Sequence, residues 1–269
     1  MKIGIGLPNT VPGTDGAQMR DWAARAEQAG FSTLGTIDRL LYPNLESLVA
    51  LSYAAAVTER IGLLTSILLA PLRTNTPLLA KQAESLDRLS GGRLLLGLAP
   101  GGREDDYEAS GVDFGKRGAI FDQQLEEMRP LFDSNKIVIG GRSDAAMRRA
   151  AQHGGWMMGG GAPDTFPPEL ERLNAAWAAA GRDGEPRRMS LAYFALGDNP
   201  REQARTYITD YYAFLGDEAA GGFAESIPAD ADTIKGVVDA FAAAGCDELV
   251  WFPTSSDPAQ VDLLAEVVL

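Results

Sequence analysis

Residues 76–101 read TPLLAKQAESLDRLSGGRLLLGLAPG, and they carry two patterns in succession. Over 76–92 apolar residues recur three and four apart, with Pro77 near the first turn, which predicts a helix. Over 93–101 the apolar residues run on without strict alternation, as in a parallel strand covered by helices. One helix leads into one buried strand, and the same unit is found in both directions along the chain.

Strands are predicted at 2–8, 32–38, 61–71, 93–101, 136–141, 156–161, 188–197 and 247–255. Helices are predicted at 15–30 with Gly30 as C-cap, 44–60 capped by Asn44, and 118–132. Others follow at 143–155 capped by Ser143, 164–182 interrupted near its start by Pro167 and Pro168, 200–216, 230–246 and from 257. Each strand precedes a helix, connections are short, and no linker divides residues 1–269. The expected architecture is α/β: a single (β/α)8 TIM barrel, with an open doubly wound sheet as the alternative.

The 269 residues are 45% hydrophobic and 23% charged, as in ordinary globular chains. No apolar run reaches the length of a membrane span, and the N-terminus MKIGIGLPN lacks the pattern of a signal peptide. The single cysteine, Cys246, allows no internal disulfide, so a cytoplasmic protein is expected. A formal charge of −13 without a basic stripe argues against nucleic acid as partner. The one histidine, His153, excludes most metal sites, and none is expected; its place at the end of a helix pattern fits helix C-terminal complementation.

In a barrel of this kind the chemistry lies at the C-terminal ends of the strands. The second strand ends in Asp38-Arg39, charges set among apolar residues, which form either a structural ion pair at the rim or a site. Strand ends at Gly140-Gly141-Arg142 and Gly159-Gly160-Gly161 are glycine-rich. They read as tight turns or as a phosphate cradle, to which Arg142 adds a charge. REDDYE (103–108) reads as a solvated first helical turn, its acids favoured by the helix dipole.

The chain resembles the bacterial luciferase-like flavin-dependent oxidoreductases. The resemblance lies in GLPN (6–9), AEQAGFSTL (26–34), TERIGLLTSILLAPLR (58–73), IGGRSDAAMRRAAQHGGWM (139–157) and AGCDELVWFP (244–253). The block LAKQAESLDRLSGGR (79–93) carries it most specifically. The resemblance implies a TIM barrel with FMN, or the 5-deazaflavin coenzyme F420, at the C-terminal mouth. It implies cofactor contacts at Asn9, Thr65, Ser66, Ile67, Gly101, Arg103, Gly140, Gly141, Arg142, Gly159, Gly160 and Gly161. In it, a bulge at Ser66-Ile67, often a non-proline cis peptide in the family, backs the flavin ring.

Three departures from the family stand out. Arg39 replaces the frequent histidine, Gly102 stands where deazaflavin-dependent sugar-phosphate dehydrogenases place a glutamate, and GGW (154–156) replaces GDGW. MRPLFDSNKIVIGG (128–141) also passes from helix to fifth strand almost at once, so the segment that covers the substrate in relatives is shortened. The expected activity is an FMN-dependent monooxygenation of a small aldehyde or ketone by O2, with reduced FMN from a partner flavin reductase. Arg39 steadies negative charge and Asp38 orients it or moves a proton, so both are the expected catalytic residues. Deazaflavin-dependent hydride transfer and a non-catalytic flavin-binding barrel are the alternatives. The flat Ala-rich face of ALSYAAAV (50–57) suggests either a homodimer or a buried intramolecular contact.

Overall fold

A computed structural model describes residues 1–269. Its elements in chain order are β1 (Lys2–Gly6), α1 (Gly16–Ala29), β2 (Thr33–Thr36), α2 (Ser47–Ala55), β3 (Gly62–Thr65), β4 (Leu68–Leu69) and α3 (Thr76–Leu89). Then come β5 (Leu94–Ala99), α4 (Glu104–Ser110), α5 (Arg117–Met128), β6 (Ile137–Gly140), α6 (Asp144–Ala150), β7 (Gly155–Met158) and α7 (Phe166–Ala179). The chain finishes with β8 (Arg187–Phe194), α8 (Pro200–Tyr211), α9 (Asp217–Ser226), α10 (Ala231–Ala243), β9 (Glu248–Pro253) and α11 (Ala259–Val268).

All pairings are parallel, and β3 pairs with both β2 and β5, which closes an eight-stave barrel. The two residues of β4 add a short second pairing to β5, Leu68 opposite Leu98 and Leu69 opposite Ala99. The long third strand expected at 61–71 is therefore two pieces. They are separated by a cis peptide between Ser66 and Ile67.

Local signals explain most boundaries. Asp15 and Gln18 form a capping box on α1, and Gly30 closes it in the left-handed conformation at φ +97°. Asn75 caps α3 and Ser143 caps α6. Asn44 does not cap α2: that helix starts later, and the Glu46 carboxylate accepts the Val49 N–H at 2.8 Å. Asn44 instead donates to the Leu45 carbonyl at 3.0 Å, holding the loop that precedes the helix. The helix expected over 200–216 ends at Tyr211, and an unanticipated helix, α9, follows.

Two apolar layers hold the barrel. The outer one, between strands and helices, includes Trp22, Phe121, Trp156, Phe166 and Trp251. The inner one fills the barrel with Leu64, Val138, Met157, Met189, Val250 and Phe252. Phe252 decides two residues elsewhere: a Cβ on Gly6 would fall 2.1 Å from its ring, and one on Gly35 would fall 3.0 Å away. Full burial of such a ring is worth about 1.5–3 kcal/mol, so those strands carry glycine to admit it.

Candidate active site

The two charges at the end of β2 do not pair with each other. Asp38, 3% exposed, accepts two bonds from Arg73, at 2.7 and 3.0 Å. It also accepts the Leu69 N–H at 2.9 Å, just past the cis peptide. Arg73 reaches on to Glu46 at 2.6 Å. The expected orientation of Arg39 by Asp38 is thus replaced by Asp38 fixing the bulge between β3 and β4.

Arg39 turns the other way, into α4. Its Nε donates to Asp106 at 2.5 Å and its Nη2 to Asp105 at 2.7 Å. Asp106 also accepts the N–H groups of Leu40 and Leu41. Burial works against the Arg39 charge, but the hydrogen bond and attraction of Asp106 outweigh it and raise its pKa. REDDYE is a helix as expected, yet Asp106 is fully buried rather than solvated. The missed signal was spacing, since Arg103, Asp106 and Tyr107 share one face three and four residues apart.

Aromatic rings cover the mouth above β1, β2 and β8. Tyr207 hydrogen-bonds Thr10 at 2.7 Å, and Tyr193 hydrogen-bonds Tyr212 at 3.1 Å. Tyr42 bonds Asp210, and its ring meets Tyr211 edge-on at 5.0 Å. Arg103 donates to the Tyr211 carbonyl at 2.7 Å and lies 3.6 Å from the Phe214 ring centre. Its guanidinium is engaged in this cluster, where burial lowers its pKa. Burial raises the pKa of Tyr193 and of Tyr207 and keeps both phenols protonated.

The expected cofactor residues divide into groups. The Asn9 amide is spent on Ile37 and Leu45 backbone groups and ties the ends of β1 and β2 together. Thr65 donates to the Gly97 carbonyl at 2.7 Å. The Ser66 hydroxyl is buried without a partner. Gly101 takes φ +71°, where a Cβ would meet Leu69 at 2.5 Å. Gly140 serves packing: a Cβ there would fall 2.8 Å from Ile67, so the bulge side chain occupies that room.

Gly141, Arg142 and Gly159–Gly161 are brought together, because β6 and β7 are neighbours with Gly140 opposite Met157. Open space surrounds Gly159, and Arg142 lies 3.8 Å from the Cβ position of Gly161. Arg142 is half-exposed, and Glu169 holds its Nε at 3.1 Å. Arg172 braces both, donating to the Arg142 carbonyl and to Glu169. Glu169 and Arg172 come from α7 and carried no sequence signal. This open glycine edge with a guanidinium beside it fits the phosphate of a flavin-type cofactor, FMN or deazaflavin alike.

Two larger clefts, of about 510 and 520 Å³, lie at the Arg73 side of α2–α3 and between α8 and the β9 end. His153 lies elsewhere, between α6 and β7 at the opposite end of the barrel. It is buried, its Nδ1 is unpartnered, and desolvation with help from Arg129 and Arg182 lowers its pKa to about 4. No cluster of histidine, cysteine and carboxylate groups could hold a metal ion.

Comparison with known proteins agrees with this arrangement. The luciferase-like monooxygenase family model matches residues 1–137 and 134–236. The two matches meet where α5 passes to β6 through a short connection. An uncharacterised Mycobacterium tuberculosis protein is 34% identical over 199 residues, 57% of this chain and 67% of its own length. The pyrimidine monooxygenase RutA of Cronobacter sakazakii is 27% identical over 220 residues, 70% of this chain but 63% of RutA, less than two thirds. An F420-dependent secondary alcohol dehydrogenase, in complex with an F420–acetone adduct, has a TM-score of 0.82 at 17% identity, covering 100% of this chain and 98% of that one. The monooxygenase RslO1 of Streptomyces bottropensis has a TM-score of 0.80 at 20% identity, with coverage of 100% and 98%. The chain belongs to the luciferase-like monooxygenase family.

Proposed function

We propose that the protein is an FMN-dependent monooxygenase that uses reduced FMN and O2 to oxidise a small aldehyde or ketone. The observation that carries this reading is the mouth itself. It offers a half-exposed arginine on an open glycine edge and, where relatives often place a histidine, Arg39 tied to carboxylates, while the one histidine, His153, is remote. When bound, the reduced flavin supplies the electrons and the reaction with O2.

The chain's own residues position and shield. Arg142, oriented by Glu169, holds the phosphate. Asp38 fixes the Ser66–Ile67 bulge through Leu69 and Arg73, and the bulge backs the ring. Arg39 holds α4 through Asp106, and the tyrosine cluster excludes water from the barrel side. In this reading Asp38 and Arg39 act by holding the walls of the site.

A partner flavin reductase supplies reduced FMN in the cytoplasm. The chain works as a homodimer through α2 and the loop before it. Ala50 and Ala54 are buried against the barrel, while Val49 and Tyr53 on α2 and Leu41, Leu45 and Val57 in the segments flanking it are exposed apolar residues. Exposed apolar residues of this kind are what a partner covers.

The competing reading is hydride transfer from reduced deazaflavin to a carbonyl. The test is product analysis with reduced FMN, O2 and a panel of aldehydes and ketones, beside anaerobic assays with reduced deazaflavin. An oxygenated product of the carbonyl, with one atom from O2, is expected with reduced FMN. Anaerobic carbonyl reduction by deazaflavin, with no oxygenated product on FMN, sinks the proposal. Binding of flavin without either activity marks a non-catalytic barrel.

A further inference from the structure

A smaller cavity, of about 290 Å³, lies beside the glycine edge. Leu191, Ala192, Phe223, Ile227, Val237 and Phe241 give it an apolar wall, and Gly160 and Gly161 form the side shared with the edge. It has room for about ten water volumes at roughly 30 Å³ each. Unlike the two larger clefts, no charged side chain lines it.

Its polar side chains are Ser226 and Tyr193. The Ser226 hydroxyl is committed to the Phe223 carbonyl at 2.7 Å. Tyr193 shares one hydrogen bond with Tyr212 at 3.1 Å. Either hydroxyl can donate in that bond; when Tyr212 donates, the hydrogen of Tyr193, the member of the pair that lines the cavity, is left for an acceptor. Burial keeps Tyr193 protonated.

The outer wall is α9, which contributes Phe223 and Ser226. Gly221 and Gly222 stand in the middle of this ten-residue helix with no neighbour that a Cβ would strike. Each glycine weakens a helix interior relative to alanine. Gly216 precedes α9 in the left-handed region at φ +84°. Packing does not require these glycines, and they lower the cost of opening α9.

The geometry points to this cavity as the substrate chamber, taking a small, mainly apolar carbonyl compound whose oxygen accepts the hydrogen of Tyr193. The compound enters as α9 opens. The inference rests on the proposed function for the reaction that follows, but not for the binding itself.

Acetophenone and cumene, alike in size and differing in the carbonyl, are the probes. Each is titrated into the full chain with and without FMN, and FMN affinity is measured separately by flavin fluorescence. Acetophenone is expected to bind more tightly than cumene. Val237→Phe fills the chamber from α10, and both probes should weaken at least about tenfold while FMN affinity holds. Tyr193→Phe should weaken acetophenone about fivefold and leave cumene unchanged, whereas a merely structural Tyr193 would move both. The pair Gly221→Ala, Gly222→Ala should slow probe association. No binding of either probe to the folded protein overturns the inference. So do a Val237→Phe effect on FMN instead of acetophenone, equal losses for both probes in Tyr193→Phe, and unchanged association in the alanine pair. Probe binding without FMN binding would sink the proposed function and leave the chamber standing.

Discussion

Arg39 and Asp106 form an ion pair at 2.5 Å with side-chain exposures of 5% and 0%. They are 67 residues apart, one at the end of β2 and the other in α4. Removing Arg39 leaves the buried Asp106 charge unpaired, which costs about 3–5 kcal/mol, and removing Asp106 leaves Arg39 only the half-exposed Asp105. Asp106→Asn and Arg39→Ala are each expected to lower the thermal midpoint strongly, and a double change to apolar residues should cost less than the sum. Calorimetry of the four proteins reads this. Arg39→Ala with unchanged stability but lost turnover would restore a direct catalytic role.

Arg142 should matter for phosphate alone. A charge-assisted bond is worth about 1.5–3 kcal/mol, so Arg142→Ala should weaken FMN roughly ten- to hundredfold. Riboflavin, which lacks the phosphate, should bind the variant and the parent equally. Equal losses for both ligands would move the phosphate away from the glycine edge.

Asp38 ties Arg73 and the Leu69 N–H to the bulge. Asp38→Asn keeps the shape but loses the charge. It should cost about 1–3 kcal/mol of stability and weaken FMN and riboflavin alike. An effect on FMN alone would show that Asp38 does not act through the wall of the ring site.

His153 sets an acid limit. Its pKa falls from 6.5 to about 4 in the folded protein, so the unfolded chain binds more protons between those values. Stability from the neutral ring is therefore full above pH 6.5 and is lost as pH falls toward 4. The loss is on the order of 3 kcal/mol. Denaturant melts from pH 7 to 4 should show it, and His153→Gln should flatten that part of the profile. A variant with the same slope as the parent would assign the acid loss to carboxylates.

The exposed apolar residues on and beside α2 predict assembly. Val49→Glu places a charge in the middle of Leu45, Val49 and Tyr53, and sedimentation should turn a dimer into a monomer without loss of fold. An unchanged sedimentation coefficient would remove this surface as the interface.

Local patterns were enough for the architecture. Helix periodicity, caps such as Asp15 and Gly30, and unalternating apolar strands depend on neighbours within a few residues, so they are written in order along the chain. The bulge at Ser66-Ile67 was implied only by the family resemblance, whereas the glycine run at 159–161 was legible because unusual backbone needs particular residues at particular places. Which charge meets which was not legible. Asp38 and Arg39 are adjacent in sequence, yet at the barrel end one meets Arg73 and the other Asp106. Gly140 has the same explanation, since only barrel closure brings Ile67 against it. Sequence determined most of the elements, though not α9 or the break between β3 and β4, and where the mouth would lie. Tertiary structure alone decided the partners inside it, because pairing across many residues is set by closure of the sheet and not by spacing.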